Sequence, residues 1–273
     1  MTTRAEHRGS PDRFGYEWAE YSELRPEYEE QFRRWTVLIP ESEWRGQRFL
    51  DVGCGMGRNS HWPMTYGAVG GASIDIDDRS LASARRTLEP WPAVEIRKMS
   101  VYDIDYENAV DIAFSIGVIH HLAEPERALV QMVKAVKPGG RVLIWVYGYE
   151  NNEWIVRYFN PFRRLLFALM PIGVTHFCST ILTGILWLSL RLGIGRIEYF
   201  QLIRSFTFRH LRSIVFDQML PRIANYWRRD EVESLMRGAG LGEVSLASVN
   251  NMSWCAVGTK LRREQTDSGE EAA

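Results

Sequence analysis

Hydrophobic positions in the first half of the chain fall in short clusters separated by amphipathic stretches. RFLDVG (48–53), GGASIDI (70–76), AVEIRKM (93–99), AVDIAFSIG (109–117) and RVLIWVYG (141–148) are rich in Val, Ile and aromatics and bounded by Gly or Pro, which predicts five strands. Between them the apolar period lengthens. Asp77 or Asp78 ahead of SLASARRTL reads as an N-cap and an amphipathic helix. Glu124–Val136 has Pro at its second position, apolar residues three to four apart, and a stop at Lys137-Pro138-Gly139-Gly140. This alternation predicts a parallel sheet with helices on both faces and a ligand at the carboxyl ends of its strands. Later, RRDEVESLMRGAG (228–240) puts Val232, Leu235, Met236 and Ala239 on one face. EVSLASV (243–249) and MSWCAVGTK (252–260) come next as strands joined by Asn250-Asn251, residues that tolerate positive φ in a tight hairpin. Residues 1 to about 12 and 262–273 are polar and expected to fray.

Composition changes little in this picture. With 273 residues, 45% hydrophobic and a formal charge of -1, the chain is neither a polyelectrolyte nor a disordered one. Cys54, Cys178 and Cys255 are too few and too far apart for a disulfide framework or a zinc knuckle, so no metal site is expected and a reducing compartment is favoured. The N-terminus lacks the apolar h-region of a signal peptide, which points to a cytoplasmic location.

The chemistry concentrates in LDVGCGMGRN (50–59), where a strand enters Gly53-Cys54-Gly55-Met56-Gly57 ahead of a helix. The glycines fall as GxGxG, not the GxGxxG of a dinucleotide fold. Asp75 ends the second strand 22 positions after Gly53, where a carboxylate can accept from both hydroxyls of an adenosine ribose. LDVGCGMGRN, ASIDID, FSIGVIHHL and KPGGRVLIWVYG, in this order, resemble the successive motifs of the class I S-adenosylmethionine-dependent methyltransferases. The resemblance runs from about 48 to 148 and resumes at 228–260. It implies an α/β Rossmann-like seven-stranded sheet with the last strand antiparallel, and S-adenosyl-L-methionine as cofactor. Asp51, Gly53, Cys54, Gly55 and Gly57 would surround the methionine part and ribose, with Asp75 and Ile76 at the ribose. Ser115 and Ile116 would lie beside the sulfonium. Where the family often carries an acidic residue for the adenine, this chain has Ser100-Val101, so either Ser100 with backbone amides or Asp103 fills that place. FGYEWAEY (14–21) resembles an opening segment that covers the cofactor in some bacterial members. Its Phe14, Tyr16 and Trp18 form part of such a lid or staple a helix to the sheet.

An oxygen or nitrogen acceptor can need a base, and His120 and His121 directly follow the fourth strand. The expectation is that His120 lines the cofactor pocket, with His121 a weaker base candidate and Tyr147 a second one. The alternative is a helix start whose imidazoles bond neighbouring backbone. His61 and His210 read as ordinary polar contacts. SIGV stands where nucleic-acid amino-methyltransferases carry an Asn/Asp-Pro-Pro-Tyr-like motif, so no nucleic acid is expected as partner, and Asn160-Pro161-Phe162 reads as a turn and helix start.

After Gly148 the alternation stops. The chain divides into a lid and cofactor core (1–150), a helical insertion (151–227), a helix and strands completing the core (228–261), and a tail (262–273). Leu165–Leu190 holds no charged residue in 26 positions, more than a bilayer span requires. A single crossing would split the sheet between two compartments, and Pro171, Gly173, His176, Ser179 and Thr180 interrupt the run. A re-entrant helical pair or an amphipathic cover in the membrane interface fits better. Residues 151–229 carry 11 Arg and no Lys against Glu153, Glu198 and Asp217, a net of 11 - 3 = +8, leaving 22 - 31 = -9 elsewhere. Arg163, Arg164, Arg191 and Arg196 flank the apolar run, as suits an anionic lipid surface across 163–196. The competing reading is a helical cap packed on itself or on a second copy in a homodimer. The expected function is methyl transfer to a small hydrophobic or lipid-linked acceptor, at oxygen or carbon, by a cytoplasmic protein peripheral to the inner face of a membrane. The alternatives are a soluble sugar or natural-product methyltransferase with a dimerising insertion, and a non-catalytic cofactor-binding subunit.

Overall fold

The computed structural model of the chain describes residues 9–193, 204 and 206–262. Five strands form first: β1 (Arg48–Val52), β2 (Gly70–Asp75), β3 (Val94–Lys98), β4 (Val110–Ile116) and β5 (Val136–Tyr147). They are followed by β6 (Leu241–Val249) and β7 (Ser253–Lys260), and the seven lie in the order β3-β2-β1-β4-β5-β7-β6. β1 to β5 run parallel, whereas β7 pairs antiparallel with both β5 and β6. The hairpin between β6 and β7 turns at Asn250 (φ 53) and Asn251 (φ 57), both left-handed, as the sequence predicts. β5 starts earlier than expected. Lys137-Pro138-Gly139-Gly140 does not separate helix from strand but is a bulge within the strand, since Gly139 takes φ 82 while Val136 already pairs with Val110.

Among the described residues the α-helices are α1 (Pro11–Glu20), α2 (Glu27–Trp35), α3 (Arg58–Thr65), α4 (Asp78–Thr87), α5 (Pro125–Ala135), α6 (Asn160–Leu165), α7 (Ile172–Arg191), α8 (Phe208–Met219) and α9 (Arg229–Gly238). Asp77 caps α4, accepting from the amides of Arg79 and Ser80. On one face of the sheet Leu50, Val52, Ala113 and Val142 pack with α5 and α9 through Leu129, Met132, Val232 and Met236. On the other, Phe49, Phe114 and Leu143 pack with Phe32 of α2 and with Trp44. Each such side chain removed from water contributes about 2–3 kcal/mol.

The N-terminal segment is ordered from Ser10, not frayed to residue 12. Ser10 is buried and its Oγ accepts from the Arg222 amide at 2.7 Å. α1 lies on the cap of α4 so closely that a Cβ on Gly15 would fall 2.0 Å from Asp77 Cγ. Arg13, 2% exposed, ties α1 to the insertion. Its Nε donates to Leu220 O at 2.9 Å, Nη1 to Met170 O at 3.0 Å, and Nη2 to Phe167 O at 2.9 Å and Thr175 Oγ1 at 3.2 Å.

The insertion leaves the sheet and returns at one point, where Tyr149 N donates to Trp227 O and Trp227 N to Tyr147 O. Asn160-Pro161-Phe162 does start a helix, α6. Most of the uncharged run is one helix, α7, beginning after Pro171; the residues before it are the end of α6 and a 3-10 turn, Phe167–Leu169, so the run itself does not form a helical pair. Gly173, His176, Ser179 and Thr180 stay within the helix because Ser179 and Thr180 spend their hydroxyls on His176 O, and Thr183 on Ser179 O. Arg196 and the tail from 263 lie outside the described residues.

These contacts set two expected outcomes. Arg13→Ala strands the Met170 and Leu220 carbonyls and takes one bond each from Phe167 O and Thr175 Oγ1, and is expected to cost about 3 kcal/mol, localised to the lid. Hydrogen exchange should show faster exchange in α1 and α7 with the sheet amides unchanged, and Arg13→Lys should rescue only in part because it lacks the guanidinium fork. Asp51, 1% exposed, accepts from Ser60 Oγ at 2.6 Å, and burial pushes its carboxyl up to about 7. The folded protein therefore keeps a proton that the unfolded chain releases, so this contribution is complete at low pH and lost as pH rises through 7. Asp51 by itself is expected to lower Tm by roughly 5 °C between pH 5 and pH 8, and Asp51→Asn should make the measured drop smaller by about that amount.

Candidate active site

Above the carboxyl ends of β1, β2 and β4 lies a cavity of about 690 Å³ whose walls come from the sheet, α1, α2 and α8. Its floor is the glycine turn. Gly53 N and Cys54 N both donate to Ile74 O at 2.9 Å, which fastens the turn to β2. Gly55 takes φ 55, and a Cβ there would sit 2.8 Å from Trp18 Nε1, so backbone alone fits between the turn and the lid. Asp75 closes one side. Its Oδ2 accepts from Gly55 N at 3.0 Å and its Oδ1 from Asp77 N at 2.9 Å. Each oxygen keeps a further lone pair, the acceptor set that two vicinal hydroxyls need. Burial raises its pKa to about 6, with the two amide bonds opposing. A bare turn beside this carboxylate, with Ser100 and Val101 beyond, fits an adenosyl cofactor.

Of the residues expected at the cofactor, Gly53, Cys54, Gly55, Asp75, Ile76, Ser100, Val101 and Ile116 line the cavity, and four lie behind it. Asp51 is turned into the core toward Ser60. Gly57 is the left-handed N-cap of α3, with φ 81. Ser115 is buried, with its hydroxyl spent on Val52 O at 2.8 Å. His120 is the fourth. Asp103 does not substitute at the adenine end: it is exposed and paired with Arg127, while Ser100 lines the cavity and accepts from Tyr102 N at 3.2 Å.

The order of the two histidines is corrected. His120 is fully buried against Tyr147, ring centroids 3.9 Å apart, and neither ring nitrogen has a partner among the described residues. His121 faces the cavity instead. The reason is the turn: Ile119–His121 is a 3-10 helix, so successive side chains point about 120° apart. His121 Nδ1 lies 2.8 Å from Ile223 O, which accepts only if Nδ1 carries the proton, leaving Nε2 as an acceptor. Burial lowers its pKa to about 3. Tyr147 lines the cavity with its hydroxyl 3.3 Å from Gln218 Nε2, and burial raises its pKa well above the usual phenol. None of the three base candidates titrates near neutral pH.

Two further carboxyl groups at the cavity belong to no sequence motif. Glu17 of α1 and Asp217 of α8 both line the cavity. Glu17 is 3% exposed and its Oε2 has no hydrogen-bond partner among the described residues. Burial and the neighbouring Asp217 charge push its pKa well above that of an ordinary carboxylate, against Arg58. Asp217 is pushed up to about 6 by burial, against Arg58, Arg163 and the Gln218 amide. Arg58, on the cavity wall, lies over the rings of Tyr28 (4.7 Å), Trp18 (5.2 Å) and Trp35 (5.3 Å). One sequence signal does mark Glu17: it falls three to four residues from Arg13, Phe14 and Tyr21, on the buried side of α1, where a solvated carboxylate has no place. Phe14 and Trp18 line the cavity, the place the lid reading gives them, but Tyr16 turns away and bonds His176 Nδ1 at 3.2 Å. His61 and His210 make the ordinary contacts expected of them, with Trp91 and Phe206, although His210 also reaches the cavity wall.

Comparison with known proteins agrees with this geometry. Residues 50–144 match the family described as a methyltransferase domain. A tRNA U34 carboxymethyltransferase of Pseudoalteromonas translucida is 29% identical over 123 residues, 44% of this chain and 38% of that protein. A phosphatidylethanolamine N-methyltransferase of Cereibacter sphaeroides is 30% identical over 131 residues, 46% of this chain and 63% of that one. Most such relatives are longer: the match spans between 25% and 38% of their length. Burkholderia thailandensis 1,6-didemethyltoxoflavin-N1-methyltransferase, solved with S-adenosylhomocysteine, shares the fold at TM-score 0.55 and 15% identity, over 92% of this chain and 91% of that one. Sheet order, glycine turn and matched domain agree: residues 50–144 carry a methyltransferase domain, set in the seven-stranded Rossmann-like fold of the class I S-adenosylmethionine-dependent methyltransferases.

Proposed function

We propose that the chain methylates a small apolar or lipid-linked acceptor drawn from a membrane surface. S-adenosylmethionine, when bound, supplies an electrophilic methyl group. Gly53 to Gly55 and Asp75 hold its nucleoside and amino-acid parts, and Phe14 and Trp18 exclude water from above. In-line displacement gains most from alignment in such a closed site, so the rings over the cavity do much of the catalytic work by fixing the acceptor.

The observation that carries the membrane reading is the orientation of α7. Its small hydroxyl residues Thr175, Ser179 and Thr183 are buried, while Phe177, Ile181, Ile185 and Leu188 form a stripe 52–66% exposed. Leu165 and Leu169, 77% and 78% exposed, extend it. This is the reverse of a soluble helix, whose apolar stripe faces the core. Of the arginines expected at a lipid surface, Arg164 and Arg191 are exposed, as is Arg157, where cationic side chains meet anionic headgroups, whereas Arg163 is fully buried and is not one of them. The lipid headgroup in the name of the Cereibacter sphaeroides relative is in keeping with this acceptor class.

Two measurements test the reading. The protein should float with vesicles containing anionic phosphatidylglycerol at low salt, and the triple substitution Phe177→Asp, Ile181→Asp, Ile185→Asp should abolish flotation while leaving S-adenosylhomocysteine affinity intact. Wild-type protein that stays at the bottom of the gradient and dimerises in sedimentation would refute membrane contact. By calorimetry, Asp75→Ala should weaken S-adenosylhomocysteine binding about 10- to 100-fold, as expected for two lost bonds to a charged acceptor; unchanged affinity would remove Asp75 from the cofactor site.

A further inference from the structure

We propose that Glu17 and Asp217 form the acceptor-recognition site of the cavity and that the acceptor group they take is an amine. The inference deepens the methyltransferase reading and rests on it. The two carboxylates reach one cavity from separate elements, Glu17 from α1 and Asp217 from α8. Glu17 is nine-tenths and more buried, and its Oε2 is unpartnered among the described residues. Such a group in a protein that folds as it stands calls for a donor from outside the chain. The cation on the same wall, Arg58, is held over three aromatic rings, with no ion pair to either carboxylate among the described residues.

The chemistry of the occupant is set by the groups missing from the site. Arg58, spread over the rings, and Arg163, buried behind the wall, both act on Asp217, but no donor among the described residues reaches the free Glu17 oxygen, so the cavity lacks an N–H donor at Glu17. An anionic acceptor is repelled. A hydroxyl brings one donor and no charge, which serves one carboxylate at most, whereas an ammonium brings up to three donors and the charge. Trp18, Tyr21, Trp35 and Trp145 line the same cavity and suit the apolar body of an amphiphilic amine. A divalent metal is a poorer occupant: no group of three or more His, Cys, Asp or Glu placed to hold one occurs among the described residues.

The pair also has a use in the reaction. An ammonium has no lone pair, so the acceptor must lose a proton before its nitrogen can attack. That proton passes from nitrogen to a Glu17 carboxylate oxygen, which turns ammonium and carboxylate into amine and carboxylic acid. Burial and the adjacent Asp217 raise the proton affinity of Glu17 for this step, Arg58 moderating both and Arg163 moderating Asp217.

The test uses matched amphiphiles and the tryptophans of the cavity. Fluorescence of the full-length chain is titrated at pH 7.5 with n-octylamine and with n-octanol, each with and without saturating S-adenosylhomocysteine, whose own binding is measured by calorimetry. Octylamine should bind about tenfold more tightly than octanol or better. Glu17→Gln and Asp217→Asn should each reduce that preference to less than about threefold, with S-adenosylhomocysteine binding unchanged. Equal affinity of the wild type for the two amphiphiles, or a preference that survives both substitutions, overturns the proposal. If wild-type protein shows the amine preference but does not bind S-adenosylhomocysteine, the methyltransferase reading fails and the amine site stands.

Discussion

The closed form of the cavity depends on one buried cation. Arg13 gathers the carbonyls of Phe167, Met170 and Leu220 and the Thr175 hydroxyl around a single guanidinium, joining the first described helix to residues more than 150 positions away. The arrangement satisfies chain ends as well as the cation: Met170 ends the turn before α7 and Leu220 follows α8, where carbonyls run out of helical partners, and Phe167 O accepts from Arg13 in addition to Met170 N. α1 and the insertion therefore behave as one lid. Each contributes a wall that the sheet cannot supply, α1 through Phe14, Glu17 and Trp18, and α8 through Asp217 and Gln218. Gly15 sets the height of that lid over the glycine turn, since any larger residue would lift α1 off Asp77.

The same lid explains the reversed polarity of α7. Ser179 and Thr183 turn their hydroxyls back onto their own helix, and Thr175 turns its own both to Pro171 O and to Arg13, which lets a narrow polar stripe lie against α8 and the Arg13 cluster. With that face taken by close packing, the bulky apolar side chains have only the outside to occupy. In water this exposure forfeits burial worth about 25 cal/mol for each Å². At a lipid surface it is the favourable arrangement, and the buried hydroxyls are then shielded from lipid by the protein itself.

The sheet and the glycine turn were legible in the sequence because both are local. Strand periodicity, the Asp77 cap and the Asn250-Asn251 hairpin are set by residues within a few positions of one another, and Asp75 is placed by the register of β2 alone. What depended on rotation or on distant packing was not legible. Asp51, Gly57 and Ser115 stand where the motif puts them, yet they serve the core or the turn. The order of His120 and His121 is decided by a 3-10 turn one residue long in its consequences. Glu17 becomes a cavity residue only through the Arg13 contacts with the insertion, which no local pattern announces, although an acidic residue on the apolar side of α1 and a rare acid in an arginine-rich insertion were both visible.

That division has a chemical consequence. The residues fixed by the sheet at the carboxyl end of β4 and β5 are proton-silent near neutral pH: His121 is held neutral far above its pKa, His120 has no partner to exchange with, and Tyr147 keeps its proton. The carboxyl groups with raised proton affinity on the other side of the cavity, Glu17 and Asp217, come from α1 and α8. Burial is the main cause of both shifts, with the Asp217 charge adding to that of Glu17. That burial is produced by the packing of α1 and α8 over the sheet, through the Arg13 contacts, and not by the strands that carry the histidines. The sheet's own part is to carry the glycine turn and Asp75 beneath them.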